Sequence, residues 1–146
     1  MALFTWSDKY RVNVESIDLQ HMKLFQIANR LHDLFLQEGA IDREKFGDIL
    51  DSLVQYTKAH FAFEEKVLKE SNFPDYDEHL AEHKNLVNDL NTYVEKYKAG
   101  GDIDTLNLLN FTIEWLQDHI LGTDMEYSRF LKSQETDTDS DFIQMK

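Results

Sequence analysis

One stretch constrains the fold of this chain more than any other: residues 60–83, HFAFEEKVLKESNFPDYDEHLAEH. It places His60 four residues before Glu64 and His79 four residues before His83, with Pro74 between the two pairs. Residues four apart lie on the same face of an α-helix, one turn above the other. The stretch therefore predicts two successive helices, each of which presents two metal-binding side chains on one face.

The composition favours long helices in a single domain. The chain has 146 residues but only five glycines and one proline, which is too few turn-forming residues for a many-stranded protein. The absence of cysteine excludes disulfides and thiolate chemistry. A net charge of −13 disfavours nucleic acid and anionic membranes as partners. Since the sequence shows neither a long apolar run nor a signal-like start, we expect no membrane insertion and a cytoplasmic location.

Apolar periodicity predicts helices over about residues 18–38, 42–69, 76–98 and 103–131. Asp18 is the expected N-cap of the first helix, and Gly39 lies just after its end. Residues 1–17 carry aromatic side chains without helical periodicity and are predicted to form an arm across the domain. Residues 133–146 are polar and acidic and are predicted to be a disordered tail, which leaves 1–132 as the folded domain. The predicted fold is all-α: an antiparallel up-down-up-down four-helix bundle with an extended N-terminal arm.

Seven metal-binding side chains are predicted to meet in one layer of this bundle. They lie near the starts of the first and third helices and in the later parts of the second and fourth, which are level when neighbouring helices are antiparallel. They are His21, His60, Glu64, His79, His83, His119 and Asp124. The alternative is a set of unrelated buried polar groups. That alternative leaves both carboxylates buried without a lysine or arginine on the apolar faces, at a large cost in free energy, so a metal site is favoured.

Three further positions, Gly122, His32 and Glu65, bear on the predicted metal site. His119 and Asp124 are five residues apart, about 140° around a regular helix, so a π-type bulge or a kink is predicted near Gly122. His32 faces the same way as His21 but lies about 16 Å further along the helix, and it is left out of the site. Glu65 lies off the apolar face and is predicted to be solvated.

The number of ligands predicts two metals. Seven protein ligands are too many for one zinc ion, which takes four, whereas carboxylates can bridge two ions because each has two oxygens. Histidine with carboxylate is compatible with iron, manganese, zinc or copper. The ligand count within a helical bundle favours a non-haem di-iron centre.

The ligand motifs resemble those of the hemerythrins, and in particular the single-domain bacteriohemerythrins. The matching segments are IDLQH ending at His21, HFAFE at 60–64, HLAEH at 79–83 and HILGTD at 119–124. The resemblance implies two iron ions (Fe2+/Fe3+) bridged by Glu64, Asp124 and a solvent-derived oxygen. One iron would take His79, His83 and His119, and the other would take His21 and His60. The second iron, with one histidine fewer, would offer the open position for O2.

The resemblance implies reversible O2 binding for oxygen carriage, storage or delivery, and no enzyme activity. The chain has none of the Glu-x-x-His motifs that di-iron carboxylate proteins use. The expected apolar O2 pocket consists of Leu24, Phe25, Phe61, Trp115 and Leu116. O2 is the expected partner, with an oxygen-consuming enzyme as the candidate recipient. The alternatives are a di-iron redox enzyme with peroxidase, ferroxidase or nitric oxide reductase activity, and an O2 or iron sensor module.

Overall fold

The computed structural model describes residues 5–37, 39, 41–101 and 104–133, and within these ranges it is built of helices without any strand. The four long helices are α1 (Glu15–Leu36), α2 (Arg43–Glu70), α3 (Tyr76–Lys98) and α4 (Thr105–Asp118). α1 packs against α2 and α4, and α2 packs against α3. The predicted four-helix bundle is confirmed. None of the described helices is long and apolar enough to cross a membrane.

Local signals set the ends of the second and fourth helices. The Asp42 carboxylate accepts hydrogen bonds from the backbone N–H groups of Glu44 and Lys45, at 3.0 and 3.2 Å, and so caps α2. Asp104 caps α4 in the same way, with the N–H of Asn107 at 2.9 Å. The predicted start of the fourth helix, near 103, lies outside the described residues. α2 ends before Pro74, which cannot continue a helix.

The fourth helix changes its winding where the sequence predicts that it should. After Asp118 it continues as a π segment, His119–Asp124, and residues 125–133 return to an α-helix. A π turn forms hydrogen bonds from residue i to i+5, one residue more than an α turn. The predicted widening near Gly122 is therefore confirmed.

The start of the first helix differs from the prediction. α1 begins at Glu15, and Asp18 lies inside it, only 5% exposed. The Asp18 carboxylate accepts a hydrogen bond from the N–H of Val12 at 2.8 Å. Asp18 was wrongly predicted as the helix cap because its partner is the backbone of the arm, which local sequence rules do not consider. Gly39, at φ 86°, has the left-handed backbone expected just after a helix.

The described part of the N-terminal arm, residues 5–14, lies against the bundle as predicted and has no helix other than one 3-10 turn, Asp8–Tyr10. The predicted arm, 1–17, was too long at its end, because residues 15–17 belong to α1. Tyr10 packs edge-on against Phe25 of α1, with ring centroids 4.9 Å apart. The Ser128 hydroxyl donates to the Val12 carbonyl at 2.8 Å, which joins the arm to the end of the fourth helix. The predicted tail lies outside the described residues, apart from Ser133, which is helical.

The core divides into a large and a small apolar cluster. The large cluster fills most of the bundle and includes Phe61 and Leu116. The small cluster lies beneath the arm and includes Phe73 and Tyr127. The polar layer lies between them, since Phe61 contacts the His83 ring and both small-cluster aromatics contact the His79 ring.

Candidate metal centre

The structure brings all seven predicted side chains into one buried layer, where each is at most 2% exposed. His21 comes from α1, the next four from α2 and α3, and the last two from the π segment. The full set is His21, His60, Glu64, His79, His83, His119 and Asp124. His32 is not among them, in agreement with its predicted distance from the site.

These residues form two groups, each able to hold a metal ion, in which the ligand atoms lie within 4.8 Å of one another. The first group is Glu64, His79, His83 and His119, and the second is His21, His60, Glu64 and Asp124. Glu64 belongs to both groups. Three imidazoles therefore lie on one side of it and two on the other.

The two carboxylates divide their oxygens between the two groups. Glu64 places Oε1 3.0 Å from His83 Nε2 and Oε2 3.1 Å from His60 Nε2. Asp124 places Oδ1 3.2 Å from His119 Nε2 and Oδ2 3.1 Å from His21 Nε2. Each carboxylate thus spans both groups, as a bridging ligand must.

The donor atoms fit a pair of cations better than a network of hydrogen bonds. Glu64 Oε2 and both oxygens of Asp124 have no hydrogen-bond partner in the described part of the chain, although imidazole nitrogens lie so close. The Nε2 atoms of His21 and His60 are 3.0 Å apart, so two nitrogens converge on one point. Buried carboxylate oxygens that have no hydrogen-bond partner and lie beside converging imidazole nitrogens are the arrangement that a metal ion satisfies.

The pKa values show how strongly this layer demands positive charge when no metal is present. Burial opposes ionisation of Glu64, yet the adjoining imidazoles hold its pKa well below the usual range. Burial likewise opposes protonation of His79, but its contacts with Asp124 and Glu64 raise its pKa to about 9. Burial also opposes protonation of His119, but Asp124 and Glu64 raise its pKa well above the usual value, so in the metal-free centre protons on His79 and His119 supply positive charge that cations would otherwise provide.

The π segment is what allows the fourth helix to contribute two ligands. On a regular helix, His119 and Asp124 would point about 140° apart. Within the π segment both side chains reach Glu64 or its histidine partners, and both are buried. A Cβ added at Gly122 would meet nothing within 4 Å, so the glycine itself is not what the widened turn requires.

A comparison of the sequence with protein-family models decides the affiliation of this chain. Residues 12–131 match the model described as the hemerythrin HHE cation binding domain. The chain belongs to the hemerythrin family. Hemerythrins bind O2 at a non-haem di-iron centre, which agrees with a buried site that offers two groups of ligands.

Individual hemerythrins match over most of their length. The bacteriohemerythrin of Stenotrophomonas maltophilia (strain R551-3) is 32% identical over 133 residues, which cover 91% of this chain and 84% of the relative. The myohemerythrin of Riftia pachyptila is 29% identical over 124 residues, with coverage of 85% and 90%. A solved wild-type hemerythrin superimposes with a TM-score of 0.81 at 32% identity, covering 88% of this chain and 97% of the solved one.

Two histidines of this hemerythrin have partners that the sequence analysis missed. The Nδ1 atom of His60 lies 2.7 Å from Gln20 Oε1, and that of His119 lies 2.8 Å from Glu82 Oε1. An Nδ1–H that donates outward leaves Nε2 free to face a metal and fixes the ring orientation. Gln20 and Glu82 escaped notice because each partner lies on a different helix from its histidine.

The prediction for Glu65 was wrong. Its Oε2 atom lies 3.4 Å from the Nδ1 atom of His83, and its side chain is 29% exposed. Its position off the apolar face of α2 turns it towards α3, where it meets the outer edge of a histidine ring. A further hydrogen bond that the sequence did not reveal runs from the Thr123 hydroxyl to Glu82 Oε2 at 2.6 Å.

All five residues of the predicted O2 pocket belong to the large apolar cluster of this hemerythrin. They are Leu24, Phe25, Phe61, Trp115 and Leu116, and none is more than 6% exposed. Phe61 stacks face to face on the His83 ring, with centroids 3.8 Å apart and planes at 2°. Phe61 and His83 both line a surface cleft of about 670 Å³ between α2 and α3, so these two stacked rings lie between that cleft and the other ligands.

Proposed function

We propose that this hemerythrin binds O2 reversibly at a di-iron centre, for carriage, storage or delivery. The observation that carries the proposal is the unequal division of imidazoles around Glu64, three on one side and two on the other. With both carboxylates shared, the ion on the side of His21 and His60 has one protein ligand fewer. An ion with an open position can take up a small ligand.

The proposed ligand set is the one that the resemblance to the hemerythrins implies. His79, His83 and His119 would hold one iron, and His21 and His60 would hold the other. Glu64 and Asp124 would bridge the two together with a solvent-derived oxygen. Support comes from the carboxylate oxygens, which are split between the two groups at distances of 3.0–3.2 Å from imidazole nitrogens.

Two iron ions supply the electrons that reversible O2 binding requires, and the protein's task is to protect them. The large apolar cluster next to the polar layer contains Phe61, Trp115 and Leu116. These side chains have no carboxyl or imidazole group that could donate a proton to bound O2. The stacked rings of Phe61 and His83 lie between the cleft of α2 and α3 and the other ligands, and so narrow the approach from that side. A site lined in this way excludes water and its protons, which would otherwise convert bound O2 into products.

The test is the absorption spectrum of the reduced, iron-loaded protein, recorded under nitrogen, after exposure to air and after degassing. Reversible binding gives a new visible band in air that disappears on degassing, over several cycles. A band that forms once and does not reverse would contradict the proposal. Turnover assays with peroxide, Fe(II) and nitric oxide on the same sample would then identify which redox activity the centre has.

The recipient of the O2 stays a prediction. An oxygen-consuming enzyme in the cytoplasm is the expected recipient, because O2 that is carried must be released to a reaction that uses it. The acidic surface disfavours nucleic acid and anionic membranes as partners. A pull-down from a cell extract under low oxygen, with the reduced protein as bait and the metal-free protein as control, would identify such an enzyme.

A further inference from the structure

Two neighbouring cavities open along the seam between α3 and the fourth helix, and both are lined by acidic residues. The smaller, of about 80 Å³, is lined by the carboxylates of Asp75, Glu78, Glu82 and Glu126, and we call it the acidic vestibule. The larger, of about 230 Å³, is lined by the carboxylates of Glu82, Glu114 and Asp118. Among the residues that the structure describes, no lysine or arginine lines either cavity.

Cavities on other faces of the bundle have a different charge. The cavity between α1 and α2 balances two acidic residues with Arg30 and Lys45. The cleft between α2 and α3 balances two acidic residues with Lys58 and Lys84. Negative charge without a neighbouring positive charge is thus concentrated at the seam between α3 and the fourth helix. The net negative charge of the whole chain does not explain it, because the other two cavities are balanced.

A buried imidazole connects the acidic vestibule to the metal centre. His79 lines the vestibule although it is only 1% exposed. Its Nε2 atom faces Glu64 and lies 3.3 Å from Asp124. Its Nδ1 atom has no hydrogen-bond partner among the described residues. A single ring therefore separates the vestibule from the centre, and that ring carries an unpartnered nitrogen.

We propose that the acidic vestibule is the uptake site at which a hydrated divalent cation, Fe(II) in the cell, is captured on its way to the centre. The inference rests on the proposed di-iron function and adds a second, transient cation site to it. Fe(II) binds carboxylate oxygens together with imidazole nitrogens and water, and all three are available at the vestibule and the ring of His79 behind it. A cavity of about 80 Å³ has room for such an ion with several of its waters.

The exposure of the carboxylates suits capture followed by release. Asp75, Glu78 and Glu126 are exposed, so a cation among them keeps part of its hydration and is held weakly. Glu82 is deeper, at 37% exposure, and is bonded to both His119 and Thr123. Because it borders both cavities and contacts a histidine of the centre, Glu82 is the last carboxylate on the path.

The rate of metal loading tests the inference. Metal-free protein, with its helical content checked by circular dichroism, is mixed with Co(II) at low ionic strength, and the visible absorption of the bound ion is followed. The Glu78→Gln/Glu126→Gln variant should load at least about fivefold more slowly than the wild type, because clustered charge raises association rates by about 10–1,000-fold. The deficit should shrink at about 0.5 M salt, where such fields are screened.

A matched control separates local charge from net charge. Glu44→Gln/Glu95→Gln removes two exposed glutamates remote from the vestibule, and Glu44, like Glu78, lies in the first turn of its helix. This control should load at the wild-type rate. Equal loading by both double variants would overturn the inference. Both variants should still bind two metals per chain at equilibrium; a wild type that does not would count against the proposed function instead.

A second measurement does not depend on the metal-free fold. The zinc-loaded protein, which is diamagnetic, is titrated with Mn(II), and broadening of backbone amide resonances is recorded. Broadening should begin at residues 75–82 and 123–126 in the wild type and require several-fold more Mn(II) in Glu78→Gln/Glu126→Gln. Uniform broadening over all acidic surfaces would mean that the vestibule holds no cation in preference to the rest of the protein.

Discussion

At the scale of single residues, the centre depends on side chains that face both inward and outward. His119 turns Nε2 towards Asp124 and Nδ1 towards Glu82. Glu82 in turn accepts a hydrogen bond from the Thr123 hydroxyl. Each additional partner removes one way in which the ring could rotate, so the ligand geometry is set before any metal arrives. Side chains beyond the ligand set should therefore affect metal retention.

Leu116 is the residue whose replacement best tests the apolar pocket. It is fully buried, one helical turn before His119 on the same face. In Leu116→Ala, water should reach bound O2, and autoxidation should accelerate more than tenfold, equivalent to about 1.4 kcal/mol of barrier. Iron content should not change. The measurement is the decay of the O2-dependent absorption band, with iron analysis on the same sample.

Leu108→Ala is the matched control for that experiment. Leu108 is equally buried in the same helix and cluster, but it lies about 12 Å further from the ligands along the helix. Both variants should lose stability, by about 2–5 kcal/mol, and only Leu116→Ala should oxidise faster. Equal autoxidation rates in the two variants would assign Leu116 to core packing alone.

The metal-free centre should also respond to pH with a definite sign. The pKa of His79 is raised from 6.5 to about 9 in the folded chain. The stability this provides is fully present below pH 6.5 and is lost as the pH rises through 9, up to about 3 kcal/mol. Urea unfolding of the metal-free protein between pH 6.5 and 9 should show falling stability. The iron-loaded protein should not follow this trend, because its ligands must already be deprotonated.

At the scale of elements, two glycines show that the surroundings of a helical glycine decide whether a larger residue could replace it. Gly47 lies in α2, where an added Cβ would lie 2.2 Å from the Tyr97 hydroxyl of α3. That hydroxyl donates to the Arg43 carbonyl at 3.2 Å, so the glycine lets the two helices approach closely. Gly122 lies in the π segment, where an added Cβ would contact nothing within 4 Å.

Alanine substitutions at these two glycines should give opposite results. Gly47→Ala should destabilise the protein by about 1–3 kcal/mol through overpacking, despite the better helix propensity of alanine. Gly122→Ala should be neutral or slightly stabilising and should keep full iron content, since the ligand spacing rather than the glycine requires the π turn. Thermal unfolding and iron analysis of both variants decide the matter. Loss of iron from Gly122→Ala would contradict this account of the π segment.

The sequence predicts those features of the elements that depend on a repeat or on a fixed spacing. Helical periodicity predicts that the seven ligand side chains converge, and the five-residue spacing of His119 and Asp124 predicts the π turn. Features that depend on a partner remote in sequence were missed. Asp18 resembles a helix cap, but its carboxylate binds the arm at Val12. Glu65 appears solvated, but the rotation of α2 turns it towards His83.

The burial of side chains was also harder to predict at the ends of helices than along their middle turns. Phe35 falls on the apolar stripe of α1 by spacing, but it is 39% exposed. It lies in the last turn, which ends at Leu36, beyond which the chain turns away to start α2. Periodicity assumes that a neighbouring helix covers the full length of a stripe, and at the end of a bundle that assumption fails.

At the scale of the whole molecule, the metals should contribute much of the stability. Each helix of the bundle supplies at least one ligand to the same layer, so two bound ions connect the whole fold. We expect two irons per chain by metal analysis. Their removal should lower the melting temperature by about 10 °C or more, because ligands that bind only the folded state stabilise it. Equal melting temperatures with and without iron would show that the layer does not depend on metal.

The distribution of the ligands along the chain also has a consequence for biosynthesis. The first ligand is His21 and the last is Asp124. At a synthesis rate of about 5–20 residues per second, roughly 5–20 s separate their appearance at the ribosome. A nascent chain therefore holds an incomplete set of imidazoles for most of its synthesis. The Ser128–Val12 hydrogen bond forms later still. The complete ligand set, and with it the proposed iron centre, can therefore form only at the end of translation or after it.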